Sequence, residues 1–295
     1  MKIIRKKNPL IQKSKSEKIV FGIMFCFFTL WAITLFYPFI WLIINSLKHN
    51  FFYLDDLNKF LALPKKGYWE FDNYAQAFSA INYQETTLLG MIFNSLWTAF
   101  IALGVNMFFS ACTGYVLSKY KFKGRDFIYA TAIVAMTLPI FGTGGATYTF
   151  YYVSGMYDTP FYIIFSSLGA FTMRFMMMYG FFKGISWEYA EAVFLDGGND
   201  FTVFFKIMLP IAAPMMSTLA IMGFIAEWNS YADLLIYMPS YPTLAVGIFK
   251  VGEYFDADKP VYYAAMVLSI IPVIVVFCCF IDKIMKNYTV GGLKG

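Results

Sequence analysis

Six apolar runs limit what this chain can become: 19–47, 90–117, 127–151, 161–182, 213–237 and 261–281. At about 1.5 Å per residue, roughly 20 helical residues cross the ~30 Å hydrocarbon core of a bilayer, and every run is that long. Lipid offers no partner for backbone N–H and C=O groups, so each run has to satisfy its own, which a helix does. Charged residues are 14% of the sequence, about half the share in a soluble domain, and 59% are hydrophobic, so no soluble domain of useful size is left over. The expected fold is an all-α membrane protein. Residues 19–284 form one bundle of six transmembrane helices, between a basic N-terminus, 1–18, and a tail, 285–295.

The distribution of cations orients the bundle. Sixteen of the 23 Lys and Arg residues fall on the side shared by the N-terminus, the 119–125 hinge, the 183–212 interval and the tail; six fall on the other side, and Arg174 lies inside a run. Positive charge is retained inside, so both termini and 183–212 are expected in the cytoplasm. The same clustering beside membrane ends explains the net charge of +5 without nucleic acid. The basic start resembles the n-region of a signal peptide, but the run that follows is too long and lacks a small-residue cleavage site, so it reads as a retained anchor.

Within the runs, Pro38 is a candidate kink, and Pro139 with Gly142, Gly144 and Gly145 is expected to break the third helix. The string Ser110, Ala111, Cys112, Thr113, Gly114 lets helix backbones approach closely. Cys26, Cys112, Cys278 and Cys279 show no metal-type spacing and are expected as small buried hydrophobes, with neither disulfides nor metal. The 48–89 interval suits one or two surface helices, with His49 on the surface at its start.

The 183–212 interval is polar, punctuated by glycine, and lies between the fourth and fifth runs. Glu188, Glu191 and Asp196 could suggest acid-base or metal chemistry, but no histidine accompanies them and the residues from Asp196 to Asp200 lack the alternating order of a calcium loop. The interval reads instead as helix, corner, helix. Tyr189, Ala192, Val193 and Asp196 follow one helical face, Gly197 and Gly198 stop the helix, and Asn199 or Asp200 caps the next. Phe201, Phe204, Phe205 and Met208 are expected on one face of that second helix, with Pro210 and Pro214 marking its passage into the fifth run.

Glu191, Ala192 and Val193, three residues, Gly197, nine residues, then Ile207, Leu209 and Pro210 resemble the EAA loop of the membrane subunits of bacterial ABC importers. Asn94, Ser95 and Leu96, the hinge from Lys121 to Arg125, Trp228 with Asn229, and the ending Gly291, Gly292, Leu293, Lys294, Gly295 are similar to the maltose-type carbohydrate permeases. The resemblance implies a permease subunit of a carbohydrate importer, for oligosaccharides, in the bacterial cell membrane. Its partners would be a homologous second permease, a cytoplasmic ABC ATPase dimer that binds ATP and magnesium, and an extracytoplasmic sugar-binding protein. It further implies that the loop is a coupling helix seated in the ATPase, with Glu191 in polar contact, Ala192 and Gly197 permitting close approach and Asp196 steadying the corner. Lys294 and Gly295 would reach between the ATPases. Val193, Gly198 and Ser186 depart from the family's usual alanine, alanine and proline. No phosphate-binding G-x-x-x-x-G-K-[ST] segment occurs, so nucleotide chemistry and its cofactors belong to another chain, and this one is not an enzyme.

Arg174, Glu227 and Asp233 lie inside apolar runs, where a lipid-facing charge costs about 2.5 to 3.5 kcal/mol, so they are expected to face the bundle or a pore. Arg174 and Glu227 would sit about 10 Å apart in depth, which does not favour a direct pair. Glu227, Trp228, Asn229 and Tyr231 offer the polar groups and aromatic surface that sugars need; they equally suit a structural tie between helices. Two readings remain open beside the sugar importer: an importer of peptide or phosphate, and a stand-alone transporter using Glu227 and Asp233 as a proton relay.

Overall fold

The structure is a computed structural model, and it describes residues 15–56, 62–64, 69–138, 142–169, 171–254 and 258–290. Pro139 and the tail residues Lys294 and Gly295 lie outside the described residues. The chain is mostly helical, and among the described residues four helices are long and apolar enough to cross a membrane: Ser16–Ser46, Leu88–Lys119, Asp200–Trp228 and Lys259–Ile281.

Helix α1 (Lys15–Ser46) continues through Pro38. The next interval holds α2 (Asn50–Asp55), capped by His49, and α3 (Asn73–Ala80). A short hairpin, β1 (Asn82–Tyr83) and β2 (Thr86–Thr87), follows, where surface helices alone were expected. Gln84 and Glu85 turn it with φ of 46° and 62°, the left-handed pair that matches strand twist. Helix α4 (Leu88–Lys119) is the central helix, packing against α7, α8, α11 and α13.

The third run is two helices, α5 (Arg125–Thr137) and α6 (Gly144–Val153), parted around Gly142, whose φ is +82°. The fourth is also two, α7 (Pro160–Ser167) and α8 (Met173–Lys183), where the sequence suggested one. Nothing in 161–182 except Gly169 marks that break; Thr172 starts the new helix by accepting the Phe175 N–H.

After α9 (Glu188–Leu195), a single 29-residue helix runs from Asp200 to Trp228, made of α10 (Asp200–Thr202), a π-helical stretch Val203–Met208, and α11 (Leu209–Trp228). Pro210 does not interrupt it, because the wider turn before it bonds the Leu209 N–H to Phe204 O, five residues back, just where its ring would crowd an ordinary turn; Pro214 lies inside α11 itself, which continues through it. The π turn also overturns the expected shared face: Phe204 and Met208 are buried, whereas Phe201 and Phe205 are exposed. The fifth run ends at Trp228 rather than 237; α12 (Ala232–Tyr237) is separate, followed by α13 (Leu244–Tyr254) and α14 (Lys259–Val290).

The core forms along α4, where Met91, Ala99, Leu103, Met107, Ala111 and Tyr115 meet Met178 and Phe182 of α8 and Leu219 and Phe224 of α11. Close approach is realised at Gly114, where a β-carbon would stand 2.9 Å from the Tyr179 nitrogen. At the other end of α4, Ser95 accepts the Leu244 N–H at 2.7 Å and Asn94 donates to Pro242 O at 3.0 Å, pinning the start of α13. The cysteines correct their expectation: Cys26, Cys278 and Cys279 are exposed on α1 and α14, the helices at the periphery of the bundle, and only Cys112 is partly buried.

Candidate functional site

Two constellations, one at each depth of the bundle, collect the residues singled out in the sequence. The first is the loop around α9. Glu188 and Glu191 occupy its first turn, where carboxylates suit the positive end of the helix. Its C-terminus closes with the Gly198 N–H on Val193 O at 2.8 Å and the Gly197 N–H on Phe194 O at 3.1 Å, a Schellman motif with Gly197 in the left-handed region at φ +77°. Asn199 is the cap of the next helix, its side-chain oxygen 2.9 Å from the Thr202 N–H. Ala190, not the face expected from the spacing, is the fully buried residue of α9. Glu191, Ala192 and Asp196 are exposed along with Gly197, and Leu195 stands 88% exposed at the tip. Val193 is half-buried; Ile207, Leu209 and Pro210 lie a turn further on, in the seam between the π turn and α11.

Val193 and Gly198, two of the three departures from the EAA pattern, are one exchange. A β-carbon at Gly198 would lie 2.5 Å from the Val193 Cγ1, so the extra methyl at one position occupies the room vacated at the other. The knob is also braced on α4, which the sequence did not reveal. Lys119 Nζ donates to Ile185 O before α9, and the Tyr120 hydroxyl donates to Asp200 Oδ1 at 2.6 Å after it. Tyr120 also meets the Trp187 ring edge-on and lies 3.2 Å from the Tyr115 hydroxyl; burial and the bond to Asp200 push its phenol well above the ordinary range. Tyrosine and lysine beside a turn are too common for the spacing alone to assign this duty.

The second constellation is inside the bundle. Arg174, in the first turn of α8, donates to Asn106 Oδ1 of α4 at 2.8 Å, and its other terminal nitrogen is 3.7 Å from Glu227 Oε1 on α11. The direct pair that the depth argument disfavoured therefore forms: the break before Thr172 changes the rise that a single straight helix would have given. Asn106 holds its place by donating to Ser167 O and Gly169 O, both at 3.3 Å. Gly223 makes room for the guanidinium, since a β-carbon there would approach Arg174 Nη2 to 2.7 Å. Neither Asn106 nor Gly223 carries a sequence signal beyond residue type.

Beside this pair is a cavity of about 190 Å³ whose lining includes Thr98, Asn106, Tyr162, Ser166, Glu227 and Asp233. Trp228, Asn229 and Tyr231 lie outside that lining. Trp228 is buried and donates to Ser269 O of α14 at 3.1 Å, Asn229 ends α11 with its side chain on Ile225 O, and Tyr231 stacks on Phe249 at 4.6 Å. Trp228 and Tyr231 tie elements together, whereas Asn229 bonds back within α11.

Residues 109–288 match the family described as binding-protein-dependent transport system inner membrane component. That span covers the loop, both halves of the ion pair and more than half of the chain. The chain belongs to this family. As a member of it, the protein is a multi-pass membrane component of an ABC transporter, and the EAA motif at Glu191 is the family's own.

Among curated relatives, the diacetylchitobiose uptake system permease protein NgcG of Streptomyces coelicolor is 27% identical over 288 residues, covering 95% of this chain and 91% of that one. The arabinooligosaccharides transport system permease protein AraQ of Halalkalibacterium halodurans is 26% identical, over 68% and 73% of the two chains. The maltodextrin transport system permease protein MdxG of Bacillus subtilis is 26% identical, over 79% and 84%. Among solved structures, a chain of a bacterial ABC transporter involved in the import of the acidic polysaccharide alginate superposes with a TM-score of 0.75 at 20% identity, covering 92% of this chain and 98% of that one, a likeness of fold.

Proposed function

We propose that this chain is the membrane-spanning permease subunit of an ATP-driven carbohydrate importer, with oligosaccharides as its substrate class. The observation that carries the reading is the EAA spacing folded into a Schellman-closed, solvent-facing knob braced on the central helix. In this reading six segments span the bilayer, the third and fourth each as a broken pair, and both termini and the knob are cytoplasmic. A homologous second permease completes the path, and an extracytoplasmic binding protein delivers the sugar. A cytoplasmic ATPase dimer holds ATP and magnesium and grips the knob through Glu191, Ala192, Asp196 and Gly197, while Lys294 and Gly295 reach between its subunits. ATPase closure displaces the knob, and α4, α8 and α11 carry the movement to the cavity beside Glu227 and Asp233. The names of the relatives support the sugar class. The stand-alone proton relay is less well supported, because Glu227 is committed to Arg174.

Purification of the intact complex, with identification of the co-purifying ATPase, second permease and binding protein, tests the assembly. For the knob, Gly197→Trp is expected to abolish uptake while the subunit stays in the membrane. Normal saccharide-stimulated ATP hydrolysis in that variant would sink the coupling role.

A further inference from the structure

The cavity beside the ion pair has a charge asymmetry that the importer reading does not use. Its lining holds two carboxylates, Glu227 and Asp233, and no lysine or arginine. Among the described residues the cation nearby, Arg174, is outside the lining, turned to Asn106 and Glu227 and enclosed by Gly223. Its charge offsets Glu227 and leaves Asp233, in the first turn of α12, as the net charge of this wall. The other lining groups are neutral and hydroxyl-rich: Thr98, Tyr162, Ser166, Ser167 and Ser230. Behind them Tyr162 stacks on Tyr237 with centroids 5.0 Å apart, and both rings meet Tyr151. A volume of about 190 Å³ has room for about six waters at ~30 Å³ each, the bulk of one sugar ring.

We propose that this cavity is a saccharide subsite that accepts neutral or amino sugars and rejects anionic ones, with Asp233 as the selectivity-determining residue. The proposal rests on the importer reading for its ligand, while its electrostatic content stands apart from it. Sugar hydroxyls donate to carboxylates, so Asp233 and the free side of Glu227 bind a neutral ring through charge-assisted hydrogen bonds. A uronate or sulfonate entering the same space would bring a second negative charge within a few ångströms of Asp233, in a wall of low dielectric where like charges repel strongly.

The test uses the purified complex with Cys26, Cys112, Cys278 and Cys279 replaced by serine. S166C and S230C are introduced separately and labelled with methanethiosulfonate reagents of equal size and opposite charge. The cationic reagent is expected to react roughly tenfold faster than the anionic one, beyond their ratio on a free thiol, and D233N is expected to remove most of that preference. A ratio like that of the free thiol, a ratio unchanged by D233N, or no reaction at either position overturns the subsite. So does ATP hydrolysis stimulated as strongly by trigalacturonate as by maltotriose in the unmutated complex with its binding protein. Because labelling reads the cavity's charge whatever the cargo, a purified complex whose ATP hydrolysis no saccharide stimulates sinks the importer reading without deciding this one.

Discussion

Single side chains in this protein are matched to one another more than to their surroundings. Val193 and Gly198 are such a match, and breaking it from either side has different costs. Gly198→Ala drives a methyl onto Val193 Cγ1 and should destabilise the corner by about 1 to 3 kcal/mol, with loss of saccharide-stimulated ATPase activity. Adding Val193→Ala removes that clash, leaving a 3.0 Å approach to the Val193 carbonyl that yields by a few tenths of an ångström, so the double variant should regain most of the activity. A double variant as poor as the single one would show that Gly198 serves something other than Val193. The Arg174, Asn106 and Glu227 group is matched in the same sense. Glu227→Ala should lower the thermal stability of the solubilised complex by about 2 to 3 kcal/mol, because a guanidinium in a membrane wall is left with one neutral partner. Arg174→Met with Glu227→Ala should cost less than the sum of the two single changes; strict additivity in that cycle would deny the pair.

Among elements, α4 packs against α7, α8, α11 and α13 and ties the loop, the ion pair and the start of α13 to one helix. Its loop end holds both flanks of α9 through Lys119 and Tyr120, its middle holds Asn106 against the ion pair, and its other end holds the start of α13 through Asn94 and Ser95. Tyr120→Phe removes one hydroxyl and keeps the ring against Trp187. The complex should assemble and hydrolyse ATP, while sugar transported per ATP falls severalfold in proteoliposomes; an unchanged ratio would relieve α4 of this role. The knob and the small-residue approach at Gly114 were legible in the sequence because backbone geometry imposes them: glycine for a left-handed corner, small residues for close helices. The break in the fourth run and the end of the fifth at Trp228 were not, because apolar composition reads the same in one helix or two. That lost break misplaced Arg174 and hid the pair with Glu227. The tie made by Trp228 to Ser269 was equally hidden, since only a neighbouring helix reveals which way an indole points.

For the whole molecule, the outer surface is as informative as the core. The apolar window of α1 has none of its residues buried and that of α14 has 11%, against 39% for α4 and for Asp200–Trp228. On the proposed function those two helices would meet lipid and partner chain, while the middle two do the internal packing. The proposed orientation makes a direct forecast: with the native cysteines replaced, F71C should react with an impermeant thiol reagent added outside intact cells, and F201C only after the membrane is opened. Reaction of both from the same side would invert or dismantle the six-span topology. Between the knob and the Arg174–Glu227 pair lies the π turn at Val203–Met208, in effect one surplus residue spliced into a helix. Because the wider turn absorbs its extra residue, the helix beyond keeps the phase that a regular helix one residue shorter would have, and Glu227 stays turned to Arg174. Taking up the same residue in an ordinary α-helical turn would instead rotate everything beyond it by about 100° and swing Glu227 away, so the irregular turn is an angular setting that keeps the two ends of this helix in register.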